Sequence, residues 1–282
     1  KETVNNVTFQ DVLDLYDKRF APNNADIVVV GDISPKDAKK QLKKPFGSWE
    51  KVDLTEVPAP ELTDNVSALE INFVDMENAT QSNIQVTNNV SLKQNDEDYF
   101  AALMANNILG GGGEGYLFKN LREDKGYTYG AYSSLGANRY GVSRFVASAK
   151  VRNAVTDSAV VEFLKEIKRI KKDLVDEKTL ADAKAKYVGN FVLRLQSPQT
   201  IANYALNIKR NNLPEDFYAN YLENINNVTV EDVKEAANKY FKLDNSRIVI
   251  VGKGSEVIPN LEKVGIPIKY YDKYANPVEK PE

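Results

Sequence analysis

The 282-residue sequence repeats itself once, and that repeat constrains how the chain can fold. Asn6-Val7-Thr8, with Asp11-Val12 behind it, returns as Asn227-Val228-Thr229 with Asp232-Val233, an offset of 221 residues. At that offset Lys18 meets Lys239, Phe20 meets Phe241 and Asn24 meets Asn245, without a gap. Ile27-Val28-Val29-Val30-Gly31 likewise meets Ile248-Val249-Ile250-Val251-Gly252, and Ser34 meets Ser255. A period this long exceeds solenoid repeats and points to two homologous domains of about 200 residues each. Ordinary domain sizes would start the first of them about 150 residues before Lys1. The expected organisation is therefore a C-terminal tail of a homologous domain over 1–51, then a linker over 52–64. In the linker, Val57-Pro58-Ala59-Pro60 has two prolines and no hydrophobic period. A complete domain is expected over 65–268, followed by a tail over 269–282.

Local patterns supply the elements. Thr8 and Asp11 form a near capping box, and the helix behind them places Phe9, Val12, Leu13, Tyr16 and Phe20 on one face. Residues 26–31 read as a buried strand from their continuous β-branched run. Ser34-Pro35 starts another helix. In the complete domain, strands are expected over 68–75 and 83–92, the first with Leu69, Ile71 and Phe73 on one face. A helix over 96–109 runs into Gly110–Gly113, a short helix covers 116–124, and a hairpin pairs 127–135 with 140–151 around Gly136-Ala137-Asn138. Further helices follow, broken near Ser197-Pro198 and Leu213-Pro214. Paired strands mixed with helices predict an α+β fold, a mixed or antiparallel sheet covered by helices on one side.

Two absences restrict the chemistry. The sequence has no Cys, so disulfides, thiolate ligands and a cysteine nucleophile are excluded. It has no His, which leaves only carboxylates for a tetrahedral zinc site and rules out a Ser-His-Asp triad within this chain. A net charge of −3 gives no global basic field for nucleic acid. No run of about 18 apolar residues offers a membrane span.

Gly110-x-Gly112-x-x-Gly115 satisfies the dinucleotide-binding pattern in letters, but a helix precedes it where a strand is required. The cluster reads either as a helix cap and flexible turn, with glycines free to take positive φ, or as a loop in which Gly111, Gly112 and Gly113 let a substrate backbone approach. Lys165, Lys168, Arg169 and Lys172 fall on one helix face and read as a solvated stripe. Tyr270, Tyr271 and Tyr274 read as packing at a domain seam. In Leu121-Arg122-Glu123-Asp124-Lys125-Gly126-Tyr127-Thr128-Tyr129, a tight turn returns the chain beside the helix end. Arg122 and Tyr129 then form either a structural pair or one site, in which a guanidinium fork and a phenol hold peptide carbonyls and stabilise an oxyanion.

That segment resembles the pitrilysin/insulinase family of zinc metallopeptidases, which carries a Leu-Arg-x-x-x-Gly-x-x-Tyr phrase in the domain opposite its zinc domain. Leu121, Arg122, Gly126 and Tyr129 occupy its positions here. The loop Gly110–Gly115, the Ala79-x-Gln81-Ser82 step and the helix–strand phrase that closes each copy are also similar. The resemblance covers about 3–50 as a domain tail and about 65–265 as a whole domain. It implies a LuxS/MPP-like metallopeptidase-family domain in a protein whose two halves close on an unfolded peptide. Zinc would be held in the other half by an inverted His-x-x-Glu-His motif plus a distal Glu. This chain departs from that motif completely, so zinc is expected in the parent protein or on a partner and no metal ligand is assigned here. By the same resemblance Tyr129 serves oxyanion stabilisation and Arg122 anchors substrate.

The expected function is the C-terminal portion of a zinc-dependent metalloendopeptidase, inactive by itself, whose partners are a peptide or unfolded protein and a zinc-bearing homologous half. A catalytically silent family subunit, acting in assembly or substrate holding, is the alternative. An unrelated α+β binding domain, with Arg122 and Tyr129 buried as structural groups, is a third reading. The family resemblance favours a periplasmic or extracytoplasmic setting.

Overall fold

The computed structural model describes residues 2–54 and 58–281; residues 55–57 of the expected linker lie outside them. The chain divides into two compact units. One comprises the described residues up to Ala59 together with Phe191–Leu213, and the other comprises Pro60–Asn190 together with the chain from Pro214 onward.

In the first unit, α1 (Glu2–Asn5) precedes α2 (Phe9–Arg19), which begins at the expected capping box: the Asp11 N–H donates to Thr8 and the Asp11 carboxylate accepts from the Thr8 N–H. Helix α3 (Pro35–Phe46) starts at Ser34, whose hydroxyl accepts from the Asp37 N–H. Phe20 stacks on Tyr16 at 4.8 Å and meets Trp49 at 4.9 Å. The expected strand over 26–31 does not form: 25–30 have no regular structure, and Ile27, Val29 and Val30 are exposed. Phe9, Val12, Leu13, Tyr16 and Phe20 on the apolar face of α2 are exposed as well. A strand needs neighbours for its N–H and C=O groups, and no described strand pairs with this segment.

The second unit is built on one seven-stranded mixed sheet, in the order β3-β4-β2-β5-β1-β6-β7. Its strands are β1 (Glu70–Asp75), β2 (Gln81–Val90), β3 (Thr128–Leu135), β4 (Ser143–Arg152), β5 (Arg247–Gly252), β6 (Ile268–Tyr271) and β7 (Pro277–Val278). The β3-β4-β2-β5 half is antiparallel, while β1 runs parallel to both β5 and β6. Because β6 and β7 belong to the sheet, the unit continues past 268, and the tail expected over 269–282 is largely part of it.

Helices α4 (Tyr99–Gly110), α6 (Thr156–Lys172), α10 (Val230–Tyr240) and α11 (Gly254–Leu261) pack on one face of the sheet or on each other. α7 (Glu177–Arg194), α8 (Pro198–Arg210) and α9 (Tyr221–Asn227) break where the prolines predicted. Strand alternation sorts the faces. Ile84 and Val86 of β2, Phe145 and Ala147 of β4, and Ile248 and Ile250 of β5 are buried, whereas Gln81, Asn83 and Gln85 face solvent. Full burial of an aliphatic or Phe side chain contributes about 2 kcal/mol, so this face carries the core. β1 is buried on both sides, and its Glu70 carboxylate is matched by Lys269 at 2.6 Å, Arg247 at 3.5 Å and the Asn72 amide at 3.0 Å. Lys165, Lys168, Arg169 and Lys172 are all exposed. Among the described residues no helix is long and apolar enough to cross a membrane.

Candidate functional site

Leu121 is fully buried and anchors the segment that carries Arg122. The short helix expected over 116–124 is a single α turn, α5 (Tyr116–Phe118), that widens into a π turn over Lys119–Asp124. The Lys125 N–H donates to the Asn120 carbonyl at 3.0 Å, the wider spacing of a π turn. The chain then reverses at Gly126, whose φ of +61° suits glycine. The Gly126 N–H donates to the Arg122 carbonyl (3.2 Å) and the Tyr127 N–H to the Leu121 carbonyl (2.9 Å). These bonds draw the start of β3 back beside the end of the π turn, the return the sequence predicted. The Arg122 guanidinium lies 4.7 Å from the Phe118 ring centre, and the side chain is exposed.

β3 is the edge strand of the sheet, and it bulges at Tyr129. Thr128 pairs with Val151 and Ala131 with Ala149, so Tyr129 and Gly130 together oppose Lys150 alone. The Thr128 hydroxyl pins the bulge by donating to the Lys150 carbonyl (2.6 Å) and accepting from the Gly130 N–H (3.1 Å). Tyr129 is thereby turned outward and is 91% exposed. Beside the bulge, a groove of about 260 Å³ opens between Gln85, Gly130, Tyr132, Ser148 and Lys150. Arg122 and Tyr129 are thus exposed residues on segments joined by main-chain hydrogen bonds, not buried structural groups.

The glycine cluster forms the end of α4, with Gly111 as its C-cap. None of Gly110–Gly115 has positive φ, so freedom of handedness does not explain them. Crowding explains some of them: a Cβ on Gly110 would meet the Ser133 N at 2.5 Å, and one on Gly115 would meet the Gly110 Cα at 2.9 Å. Gly113 is open, its nearest neighbour being the Phe118 ring at 3.8 Å. Gly112 lines a recess of about 300 Å³ with Asn107, Glu114, Lys119, Asp182 and Lys186. The Lys119–Glu114 ion pair, at 2.9 Å, holds that carboxyl below the usual range.

One cluster was missed in the sequence. The Asn120 amide donates to Glu162 (2.8 Å) and to Glu166 (2.6 Å), which stand one turn apart on α6. Glu166 is 4% exposed and is paired with Arg169 at 3.3 Å. Burial pushes the Glu162 carboxyl up, but Asn120, Lys165 and Lys125 outweigh it and hold the group below its ordinary value. The available signal was the Glu-x-x-x-Glu spacing of Glu162 and Glu166, which puts both on one helix face.

The residues present do not fit a zinc ion. With neither His nor Cys in the sequence, only carboxylates remain, and no group of three or more gathers among the described residues.

Comparison with known proteins identifies the family and relatives of this chain. The family described as "Peptidase M16 inactive domain" matches residues 6–187. "Probable inactive metalloprotease YmfF" of Bacillus subtilis is 26% identical over 264 residues, covering 90% of this chain and 57% of its own length. "Zinc protease PqqE" of Helicobacter pylori is 22% identical over 256 residues, covering 89% and 56%. The chain therefore spans a little over half of these relatives. The crystal structure of a peptidase M16 inactive domain from Pseudomonas fluorescens superposes with a TM-score of 0.79 at 24% identity, over 89% of this chain and 59% of that one, a likeness of fold. A family match across well over half the sequence establishes that this chain belongs to the peptidase M16 inactive-domain family.

Proposed function

We propose that this chain is the metal-free, substrate-holding half of a zinc metalloendopeptidase, with the hydrolytic metal on a homologous half in the same polypeptide or on a partner subunit. The carrying observation is Tyr129, a phenol turned outward by a pinned bulge on an edge strand, beside the turn that bears Arg122. An edge strand leaves main-chain donors and acceptors free for an extended peptide, and a guanidinium is a fork for peptide carbonyls. In this reading Arg122 anchors the substrate backbone, Tyr129 donates to the oxyanion of the tetrahedral intermediate, and the loop Gly111–Gly113 borders the path of the chain. The residues up to 51 are read as the closing helix and strand of a second domain of the same fold, whose remaining body covers the exposed faces of α2 and 26–31. The test is reconstitution with a zinc-bearing homologous half and a quenched-fluorescent unstructured peptide. Cleavage should require both halves, and Tyr129→Phe should lower kcat. Unchanged turnover in Tyr129→Phe would remove the oxyanion role.

A second reading is favoured by one observation: both the matching family and the Bacillus subtilis relative carry the word "inactive" in their descriptions. In that reading the chain holds substrate or a partner subunit in an assembly without turnover. It predicts peptide binding with no cleavage in any combination of halves.

A further inference from the structure

The π turn that carries Arg122 is fastened to the domain by one side chain. Asn120 is buried, and its amide nitrogen spends both hydrogens on two carboxylates of α6, Glu162 at 2.8 Å and Glu166 at 2.6 Å. Two carboxylates this close repel each other, and a neutral NH2 group with two donors satisfies both without adding charge. Cations complete the balance from outside: Lys165 at 3.3 Å and Lys125 at 3.8 Å on Glu162, and Arg169 at 3.3 Å on Glu166. Lys125 is itself the residue that closes the π turn, through its N–H on the Asn120 carbonyl. Side chain and main chain of Asn120 therefore fix the same turn from two directions. Arg122 follows two residues later, and its carbonyl receives the Gly126 N–H that starts the return to Tyr129.

The geometry points to Asn120 as the positioning residue for Arg122: by bridging Glu162 and Glu166 it holds the π turn on α6 and so sets the guanidinium where an extended peptide lies. The inference rests on the proposed substrate-anchoring role of Arg122 for its functional consequence, and on the hydrogen bonds alone for its structural one. Removing the bridge frees the turn and leaves both carboxylates facing one another across the gap.

Two measurements on the 282-residue chain separate these parts. Amide hydrogen exchange reads the turn directly: Asn120→Ala should speed exchange at Gly126 and Tyr127 at least about tenfold, with the amides of β2 and β4 unchanged. Anisotropy of a fluorescein-labelled unstructured 20-residue peptide reads the function: Asn120→Ala should weaken binding about five- to tenfold, and should add nothing when Arg122 is already Ala. Should the alanine variant not fold, Asn120→Asp is used instead. It sets a third carboxylate in the cluster and should weaken binding further, whereas Asn120→Asp with both Glu162→Gln and Glu166→Gln exchanges donor and acceptor at both contacts and should recover most of it. Unchanged exchange at Gly126 and Tyr127 overturns the inference, as do multiplicative losses when Asn120→Ala is combined with Arg122→Ala or no recovery when both donor–acceptor contacts are exchanged. Faster exchange combined with wild-type binding by Arg122→Ala supports the fastening of the turn and instead removes the anchoring role of Arg122.

Discussion

Gly110 and Gly113 stand three residues apart in one glycine cluster, yet a methyl group means different things at each. At Gly110 it would press on the backbone of Ser133, which cannot move without disturbing β3. Gly110→Ala is expected to cost about 1–3 kcal/mol in unfolding free energy. Gly113→Ala, open to solvent beyond the Phe118 ring, should stay within about 0.5 kcal/mol. Urea titrations of both variants check the contrast, and equal losses would contradict it. The letters of the cluster reveal that glycine is used but not why, because the crowding comes from Ser133, distant in sequence. Tyr129 behaves differently, since the role proposed for it is read at the transition state. Losing one oxyanion donor lowers kcat about 10²-fold, and Tyr129→Phe in the reconstituted enzyme should approach that with KM nearly unchanged. Glu70 supplies a pH test. Burial pushes its carboxyl up, but Lys269, Asn72 and Arg247 together bring it below its ordinary value. A carboxyl held low in the folded state stabilises the protein above its unfolded pKa of about 4.3 and loses that contribution as pH falls through the folded pKa. Glu70→Gln should therefore flatten the acid limb of stability below about pH 4, measured by denaturant unfolding across pH 2.5–6.

Helices α2 and α10 start and stop at positions 221 residues apart and share the same cap chemistry, Thr8 with Asp11 and Thr229 with Asp232. Short 3₁₀ turns at Pro22–Asn24 and Leu243–Asn245 keep the same offset. Local sequence therefore decides where these elements begin and end, and this much was legible. It does not decide what covers them. Val233 is fully buried, and its counterpart Val12 is 53% exposed. Val233→Ala should cost about 2 kcal/mol, whereas Val12→Ala should fall within about 0.5 kcal/mol, by urea unfolding of the chain. The same logic explains why β5 forms while 26–31 does not. β5 sits between β1 and β2 and exchanges hydrogen bonds with both, a nonlocal condition that its apolar run cannot reveal. The Asn120 bridge was illegible for the same reason, because its partners lie more than forty residues away on α6. The Arg122–Tyr129 return was legible because all its contacts are local to one turn.

At the scale of the molecule, the repeat and the exposure pattern bear on one question: what lies against the first unit. Phe9, Leu15 and Tyr16 of α2 are more than half exposed, whereas Val230, Ala236 and Ala237, at the same positions of the second copy, are buried. Ile27 and Val29 are exposed where Ile248 and Ile250 have no accessible surface. An apolar face of this extent marks an interaction surface. On the proposed two-domain reading, its occupant is a strand on each side of 26–31, one parallel and one antiparallel, with helices across α2, as β1, β2, α4 and α6 do around β5 and α10. In a longer polypeptide or complex that carries such a domain, the amides of Ile27–Val30 should exchange as slowly as those of Ile248–Val251. In the 282-residue chain alone they should exchange many orders of magnitude faster, because no ladder bonds hold them. Hydrogen exchange with mass spectrometry compares the two peptides within one sample, so the second copy serves as its own control. Equal protection in the isolated chain would mean that 26–31 finds its partners within these residues, and the two-domain reading of the repeat would fail.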